Sequence, residues 1–306
     1  MKINIVQVTN KKKIELSLMY YLCHDLVKIL LYTLEDLGHH VVFQKDQFDP
    51  SCLNIVVTGY HLLPRDIAAL KKHGVPYVVY QAEIFSEMGL NNDNPDWVDE
   101  KTKIQNHYLN LIEGAIHTWD CFQFNQVFLK NRGFESSHIT HGYHSQLEGM
   151  PKKPVQDIDV VFFGSHTDYR LKIFKQLQKE GLQLKILKFE PPTMRDDALR
   201  RSKINLSIKA NPTTMAHLPH SRVMTGLYLN TLTVSDPVYG QEWLFPMMDI
   251  VPTEQITAHI VQIIKDGSYA IKAKRYKELY MQHKMIDIMR PLMVEIQEKM
   301  SAKGLL

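Results

Sequence analysis

Residues 158–174 read IDVVFFGSHTDYRLKIF, and their order of apolar and polar side chains indicates how this chain folds. An apolar run over residues 158–163 ends at Gly164-Ser165, and an amphipathic segment begins near Arg170 after a short polar turn. This pattern predicts a buried strand, a tight loop and a helix. Open α/β sheets hold anionic ligands at such a loop of small residues before a helix N-terminus.

The same alternation of strand and helix patterns runs through both halves of the chain, on either side of the linker 150–154 (MPKKP). Alternating strands and helices predict parallel sheets with right-handed crossovers, hence two α/β domains. Predicted strands are 2–8, 41–44, 53–58, 77–81, 115–118 and 137–141, then 158–163, 182–187, 203–208, 231–235 and 250–251. Predicted helices are 14–37, 65–73, 100–113, 125–132, 169–180, 194–201, 219–229, 253–266 and 268–303, the last with a kink or break at Pro291.

Composition narrows the class of protein. The chain has 306 residues and a formal net charge of +3, which is too weak by itself to indicate nucleic acid and suits anionic small molecules. Its three cysteines are scattered without a CxxC pair, which argues against a thiolate zinc site and for a reducing compartment. The N-terminus has no signal-peptide pattern, and no apolar run reaches the roughly 18 residues of a spanning helix. We therefore expect a cytoplasmic protein.

Four segments together resemble a known family of enzymes. They are IDVVFFGSHTDYR (158–170), LRRSKINLSIKAN (199–211), HSRVMTGLYLNTLTVSDP (220–237) and AIHTWDCFQFNQVFLKNRGF (115–134). Their order and spacing resemble GT-B glycosyltransferases of the CgeB-like or family-4-like group. The resemblance covers the second half of the chain well and the first half only in its rhythm of strands and helices.

The resemblance implies an α/β fold with two Rossmann-like domains, a cleft between them and C-terminal helices crossing back. Residues 1–150 would form the acceptor domain, 151–265 the nucleotide-sugar domain, and 266–306 the helices that pack back on the first domain. The implied reaction moves a sugar from a nucleotide-sugar donor to a hydroxyl acceptor: a glycan, a small molecule or modified DNA. No cofactor and no metal ion are expected, because basic residues and helix N-termini would stabilise the departing diphosphate.

Two departures from the family pattern bear on activity. The family's glutamate, which usually holds the donor ribose, falls on Thr225, whose neutral hydroxyl is a weaker partner than a carboxylate. The phosphate loop that often follows the first strand is also absent, since residues 9–13 (TNKKK) contain no glycine.

The predicted carboxyl ends of the second-half strands supply candidate donor-binding residues. Backbone N–H groups of Gly164 and Ser165 are candidates for the diphosphate, and Arg170 for a phosphate. Lys209 follows strand 203–208, where a cation can neutralise the leaving group. Further candidates on the following helix and strand are Arg222, whose cation at a helix N-terminus calls for an anion, Thr225, and Asp236 as a partner of a donor hydroxyl.

The first half offers candidates for a general base near the acceptor hydroxyl. Glu83 ends the fourth predicted strand and is the first candidate. His61 follows the third strand, Asp120 follows the fifth, and His144 lies in the segment HGYH next to the linker. In the expected topology all four face the cleft.

Three other functions remain open from the sequence alone. A nucleotide-sugar epimerase would be active without an acceptor. A non-catalytic nucleotide- or sugar-binding protein is favoured by the missing glutamate at Thr225. A sugar transferase acting on modified DNA is suggested by the basic runs and would bind DNA in a salt-dependent way.

Overall fold

A computed structural model describes residues 1–9, 23–91, 95–188, 190–211, 220–238 and 242–305 of the protein. The chain divides into two compact units. The first comprises residues 1–140 and 285–306, and the second comprises residues 141–284. The predicted loop residues 10–13 and the first part of helix 14–37 lie outside the described residues.

The first unit is a parallel sheet of six strands with the order β2-β1-β3-β4-β5-β6. Its central strands are buried on both faces, as expected of a parallel sheet covered by helices. The strands are β1 (Lys2–Gln7), β2 (His40–Lys45), β3 (Leu53–Val57), β4 (Tyr77–Gln81), β5 (His117–Asp120) and β6 (Ser136–His138). The helices are α1 (His24–Asp36), α2 (Pro64–Lys72), α3 (Val98–Glu113), α4 (Gln123–Lys130) and, from the C-terminus, α10 (Met285–Ala302), which packs against α1.

The second unit is a parallel sheet of five strands with the order β11-β10-β9-β7-β8. Its strands are β7 (Ile158–Phe163), β8 (Leu184–Leu187), β9 (Ser202–Ser207), β10 (Leu232–Ser235) and β11 (Asp249–Ile250). Its helices are α5 (Asp168–Lys179), α6 (Pro192–Arg201), α7 (His220–Tyr228), α8 (Ile256–Lys265) and α9 (Ser268–Tyr280).

Helix α7 approaches the second sheet closely at Gly226. A Cβ added there would lie 2.7 Å from Thr233 Oγ1 and 2.8 Å from Asn205 Nδ2. Asn205 Nδ2 also donates to the carbonyl oxygen of Arg222, one turn earlier in the helix. These contacts hold α7 close against β9 and β10.

The α/β class, two parallel sheets and most predicted elements are confirmed, with two local corrections. The fifth strand is predicted at 115–118 but lies at His117–Asp120, and all four of its residues are buried. Ala115 and Ile116 belong to the connection that precedes the strand. Pro291 does not break the last helix but lies inside α10. The break comes earlier, at residues 281–284, between α9 and α10.

Within the described residues, no helix combines the length and the apolar character that crossing a bilayer requires.

Candidate functional site

The carboxyl ends of β7, β9 and β10 place most of the predicted donor-binding residues together in the second unit. Because these strands are parallel and adjacent, their carboxyl ends meet at one edge of the sheet. The loops that follow begin at Gly164, Ile208 and Asp236. Helix α7 adds Arg222 from its first turn.

Arg222 is a buried cation of this edge, with 8% of its surface exposed, as for Arg170. Its Nη2 donates to the carbonyl oxygen of Phe163 at 2.6 Å, and its Nη1 lies 3.5 Å from Ser207 Oγ. Its buried Nε has no hydrogen-bond partner among the described residues. Burial, with a smaller contribution from the neighbouring Arg170, lowers the pKa of Arg222 to about 9. A buried cation with an unused donor favours binding of an anion.

Gly164 provides the space that Arg222 occupies. A Cβ at this glycine, whose φ is +143°, would lie 2.9 Å from Arg222 Nη2. Its N–H donates to the carbonyl oxygen of Leu187 at 2.9 Å, which continues the ladder between β7 and β8. The prediction that the Gly164 N–H is offered to a diphosphate is therefore wrong. Ser165, the next residue, is exposed at the surface of this loop.

Arg170 connects two loops at this edge. Its Nη1 donates to both oxygens of Ser165, the carbonyl at 2.8 Å and Oγ at 3.0 Å. Its Nε and Nη2 donate to the carbonyl oxygens of Ile208 and Lys209 at 2.8–3.2 Å. Arg170 therefore holds the loops after β7 and β9 together and contributes its charge to this edge, and its role as a direct phosphate ligand stays a prediction.

The two guanidinium groups share an aromatic neighbour. The ring centroid of Phe162 lies 5.0 Å from Arg170 Cζ and 5.1 Å from Arg222 Cζ, which is within the range of cation–π attraction. Phe162 itself is fully buried. One buried ring therefore contributes to stabilising both cations.

Asp236 is the carboxylate of this edge. It is fully buried and accepts from the backbone N of Lys209 at 3.1 Å. Burial raises its pKa to about 6, against the opposing effects of the Lys209 hydrogen bond and charge. The side chain of Lys209 is half-buried beside it. Asp236 therefore aligns the loop that carries Lys209, and its role toward a donor hydroxyl stays a prediction.

Thr225 lies on α7 but is directed into its own helix. Its hydroxyl contacts the carbonyl oxygens of Ser221 at 2.8 Å and Arg222 at 3.1 Å, and the residue is 5% exposed. Its single hydroxyl proton is therefore used by the backbone. The hydroxyl oxygen can still accept a hydrogen bond, so the contact with a donor hydroxyl stays a prediction for Thr225.

In the first unit, Glu83 is held by two donors. Asn91 Nδ2 donates to its Oε2, and the Tyr60 hydroxyl hydrogen-bonds to the carboxylate. Burial raises the pKa of Glu83, and these two hydrogen bonds and Lys101 oppose that effect. The carboxylate thus fixes the side chains of Tyr60 and Asn91.

His61 lines a cavity of about 670 Å³ at the carboxyl ends of β1, β2 and β3. Tyr60 and Asn91, the two partners of Glu83, line the same cavity. Burial lowers the pKa of His61 to about 4, so its imidazole is neutral at pH 7. A volume of this size lies within the ~300–1,000 Å³ that small-molecule sites occupy.

Asp120 is a wholly buried carboxylate at the end of β5. Its Oδ1 accepts from the Phe122 backbone N at 2.8 Å and from Asn125 Nδ2 at 3.0 Å. Asn125 in turn donates to the Glu83 carbonyl oxygen. Burial raises the pKa of Asp120 well above its usual value. These contacts make Asp120 a partner of the loop before α4, while its Oδ2 has no hydrogen-bond partner among the described residues, and its role as a base stays a prediction.

His144 belongs to the second unit and is 5% exposed. Its Nδ1 accepts from the backbone N of Gln146, and its own backbone N donates to the Tyr228 hydroxyl at 2.8 Å. The imidazole thus caps the short 3₁₀ turn Ser145–Leu147. The role of His144 as a general base stays a prediction.

Sequence reasoning did not find Phe162 or Asn91. Phe162 reads as one more apolar residue of a strand, and Asn91 lies in a polar loop eight residues after Glu83. Their contacts depend on side-chain packing between segments far apart in sequence. The sequence signal nearest to Phe162 is the end of its apolar run at Gly164, which predicts the strand end but not the contact with the two arginines.

Comparisons with solved structures agree with this fold. An α-glucosyltransferase in complex with UDP and a 13-mer DNA containing a HMU base is 11% identical, with a TM-score of 0.60 over 97% of this chain and 99% of that chain. The pneumococcal O-GlcNAc transferase GtfA in complex with UDP and GlcNAc is 10% identical, with a TM-score of 0.54 over 89% of this chain and 60% of that chain.

A third similar structure is the α,α-trehalose 6-phosphate synthase of Burkholderia multivorans, 12% identical with a TM-score of 0.54 over 84% of this chain and 73% of that chain. At such low identity these similarities show the fold, two Rossmann-like domains of the GT-B class. No family model matches the sequence. No curated protein sequence matches it either.

Proposed function

We propose that this protein is a glycosyltransferase that moves a sugar from a UDP-sugar to a hydroxyl acceptor. The second unit holds the donor, and the first unit receives the acceptor. The observation that carries the proposal is Arg222, a cation with 8% of its surface exposed and a buried Nε without a partner among the described residues. It lies at the carboxyl edge of the second sheet, where open α/β folds bind their ligands.

The charges at this edge favour a diphosphate. Two buried guanidinium groups, Arg170 and Arg222, lie near a single buried carboxylate, Asp236, whose pKa burial raises toward the neutral form. A diphosphate would neutralise the excess positive charge of the two guanidinium groups and accept a hydrogen bond from Arg222. As the bond to the sugar breaks, negative charge develops on the leaving diphosphate, and fixed cations stabilise that charge without reorganising.

Similar folds support UDP as the nucleotide. The DNA α-glucosyltransferase and GtfA were both solved in complex with UDP. The cations of the second unit supply the charge that a divalent metal would otherwise provide, and metal-independent transfer is therefore part of the proposal. We also propose that the protein belongs to the CgeB-like or family-4-like group and that it is cytoplasmic.

The donor site is tested by thermal unfolding with UDP. A ligand that binds the folded state alone raises the melting temperature. We expect UDP to stabilise the wild type, Arg222→Ala to lose this shift, and Arg222→Lys to retain part of it. Arg201→Ala is the matched control, because Arg201 is a half-exposed arginine of the same unit that pairs with Asp157. A wild type that UDP fails to stabilise would overturn the UDP-sugar donor, and failure of GDP and ADP as well would overturn the glycosyltransferase proposal.

A second candidate acceptor is hydroxylated DNA. The structure that supports it is the α-glucosyltransferase with bound DNA, which aligns over nearly the whole of both chains. The test is DNA binding at increasing salt, since affinity from phosphate contacts falls steeply with ionic strength. DNA binding that weakens with salt and is stronger for a hydroxymethylated duplex than for an unmodified one would support DNA as the acceptor, and no binding even at low salt would count against it.

A further inference from the structure

Asn205 is a polar residue within an inner strand of the second sheet. It lies on β9 in the run KINLSI (203–208), opposite Val161 of β7 and Thr233 of β10. The residue is fully buried. Because a buried amide lowers stability unless its hydrogen bonds are made, the partners of this side chain indicate what it does.

The amide of Asn205 uses both of its protons and leaves its oxygen unused. Nδ2 donates to the carbonyl oxygen of Arg222 at 2.9 Å and to Thr233 Oγ1 at 3.0 Å. Oδ1 is buried and has no hydrogen-bond partner within the part of the chain that the structure describes. An unpaired buried acceptor lowers stability, which offsets part of what the two donated bonds contribute. The bond to Arg222 is therefore the contact of this amide that bears on the donor site.

Arg222 is held at both ends of its side chain. At the far end, Nη2 donates to the carbonyl oxygen of Phe163 at 2.6 Å, and the ring centroids of Phe162 and Phe163 lie 5.1 and 5.2 Å from Cζ. At the near end, Asn205 holds the backbone carbonyl of Arg222 itself, and the missing side chain of Gly226 lets α7 come this close. The buried Nε, which has no hydrogen-bond partner among the described residues, lies between these two fixed ends. Its direction is therefore set before any ligand binds.

We propose that Asn205 is a positioning residue for anion binding: by fixing the backbone of Arg222, it directs the unused Nε–H of that arginine toward the phosphate groups of the donor. A hydrogen-bond donor that is fixed in advance loses little freedom when the anion binds. It also needs no reorganisation as negative charge develops on the leaving group. The identity of the anion, the diphosphate of a UDP-sugar, rests on the proposed function, whereas the coupling of Asn205 to Arg222 does not.

The two acceptors of Asn205 Nδ2 provide a matched set of variants. In Asn205→Leu a methyl group takes the place of Nδ2, 2.9 Å from the Arg222 carbonyl oxygen. Carbon and oxygen atoms in contact lie about 3.3–3.6 Å apart, so the backbone of Arg222 would have to shift. Asn205→Ala removes the hydrogen bond without this crowding. Thr233→Ala is the control, because it removes the other acceptor, which is also buried beside Gly226, and keeps the bond to Arg222.

The experiment is calorimetric titration of these proteins with inorganic pyrophosphate and with UDP, after thermal unfolding has shown that each variant is folded. We expect both Asn205 variants to bind the two ligands about tenfold more weakly than the wild type, and Thr233→Ala to stay within about twofold of it. Because Asn205 acts through Arg222, adding Asn205→Ala to Arg222→Ala should weaken pyrophosphate binding no further. A residue that only supported the fold would weaken binding in both backgrounds.

Each outcome separates the positioning role from the proposed function. Wild-type affinity in both Asn205 variants, an equal loss in Thr233→Ala, or a further loss in the double variant would overturn the positioning role and leave the proposed function standing. Pyrophosphate binding that depends on Asn205, without any binding of UDP, would support the positioning role and reject the UDP-sugar donor. A wild type that binds neither ligand would reject both.

Discussion

A Cβ on Gly164 would lie 2.9 Å from Arg222 Nη2, so the missing side chain at Gly164 is what lets the guanidinium reach the end of β7. There it donates to the carbonyl oxygen of Phe163, the last residue of that strand. One glycine and one arginine, 58 positions apart in the sequence, thus form the base of the proposed donor site.

Gly164→Ala should displace Arg222 and weaken UDP binding. A hydrogen bond between charged partners contributes about 1.5–3 kcal/mol, so the loss should be about tenfold or more in Kd. Alanine at a φ of +143° also strains the backbone. Gly181→Ala separates the two effects, because Gly181 has a φ of +80° and no atom within 4 Å of an added Cβ. Calorimetry should show normal UDP affinity for Gly181→Ala, and equal losses in both variants would contradict the prediction.

Asp236→Asn should change how stability depends on pH. Burial raises the folded-state pKa of Asp236 from 3.8 to about 6, so the folded state binds its proton more tightly than the unfolded state does. Below pH 3.8 the protonated carboxyl carries no penalty, and the penalty grows as pH rises through about 6. When the pH is raised from 4 to 7.5, the free energy of unfolding of Asp236→Asn should therefore increase relative to that of the wild type by up to about 3 kcal/mol. Urea unfolding at both pH values measures this difference, and a difference that moved the other way would refute it.

Glu83→Gln should weaken acceptor binding more than it slows the chemical step. A glutamine amide cannot accept from both Tyr60 and Asn91 through two equivalent oxygens, so the cavity wall should lose order. We expect KM for the acceptor to rise about tenfold while kcat changes by less than about threefold. Steady-state kinetics provide both constants. A fall in kcat of several hundredfold at constant KM would instead identify Glu83 as the general base.

Asp120→Ala and Asp120→Asn should differ in stability. Alanine leaves the Phe122 N–H and Asn125 Nδ2 without their acceptor, which should cost about 1–3 kcal/mol of unfolding free energy. Asparagine keeps an oxygen acceptor and removes a carboxyl group that burial already drives toward its neutral form. Urea denaturation should therefore place Asp120→Asn close to wild type. Equal destabilisation by both substitutions would show that the negative charge itself is needed.

The sequence by itself determined the α/β class, the two sheets and most strand positions. Runs such as YVVYQ at Tyr77–Gln81 and IDVVFF at Ile158–Phe163 are largely apolar on both faces, a pattern typical of a covered parallel strand. Because parallel strands share one carboxyl edge, the sequence also indicated that Arg222, Lys209 and Asp236 belong to one region.

Tertiary structure decided what each of these side chains does. Arg170 and Arg222 are both arginines near the end of β7, yet one donates to backbone oxygens through all of its nitrogens and the other keeps a buried Nε unused. Asp120 and Glu83 both lie at strand ends, yet one supports a helix start and the other holds a cavity wall. Local periodicity is set by backbone geometry within a few residues. Hydrogen-bond partners and burial depend on contacts between distant segments, which no single stretch of sequence contains.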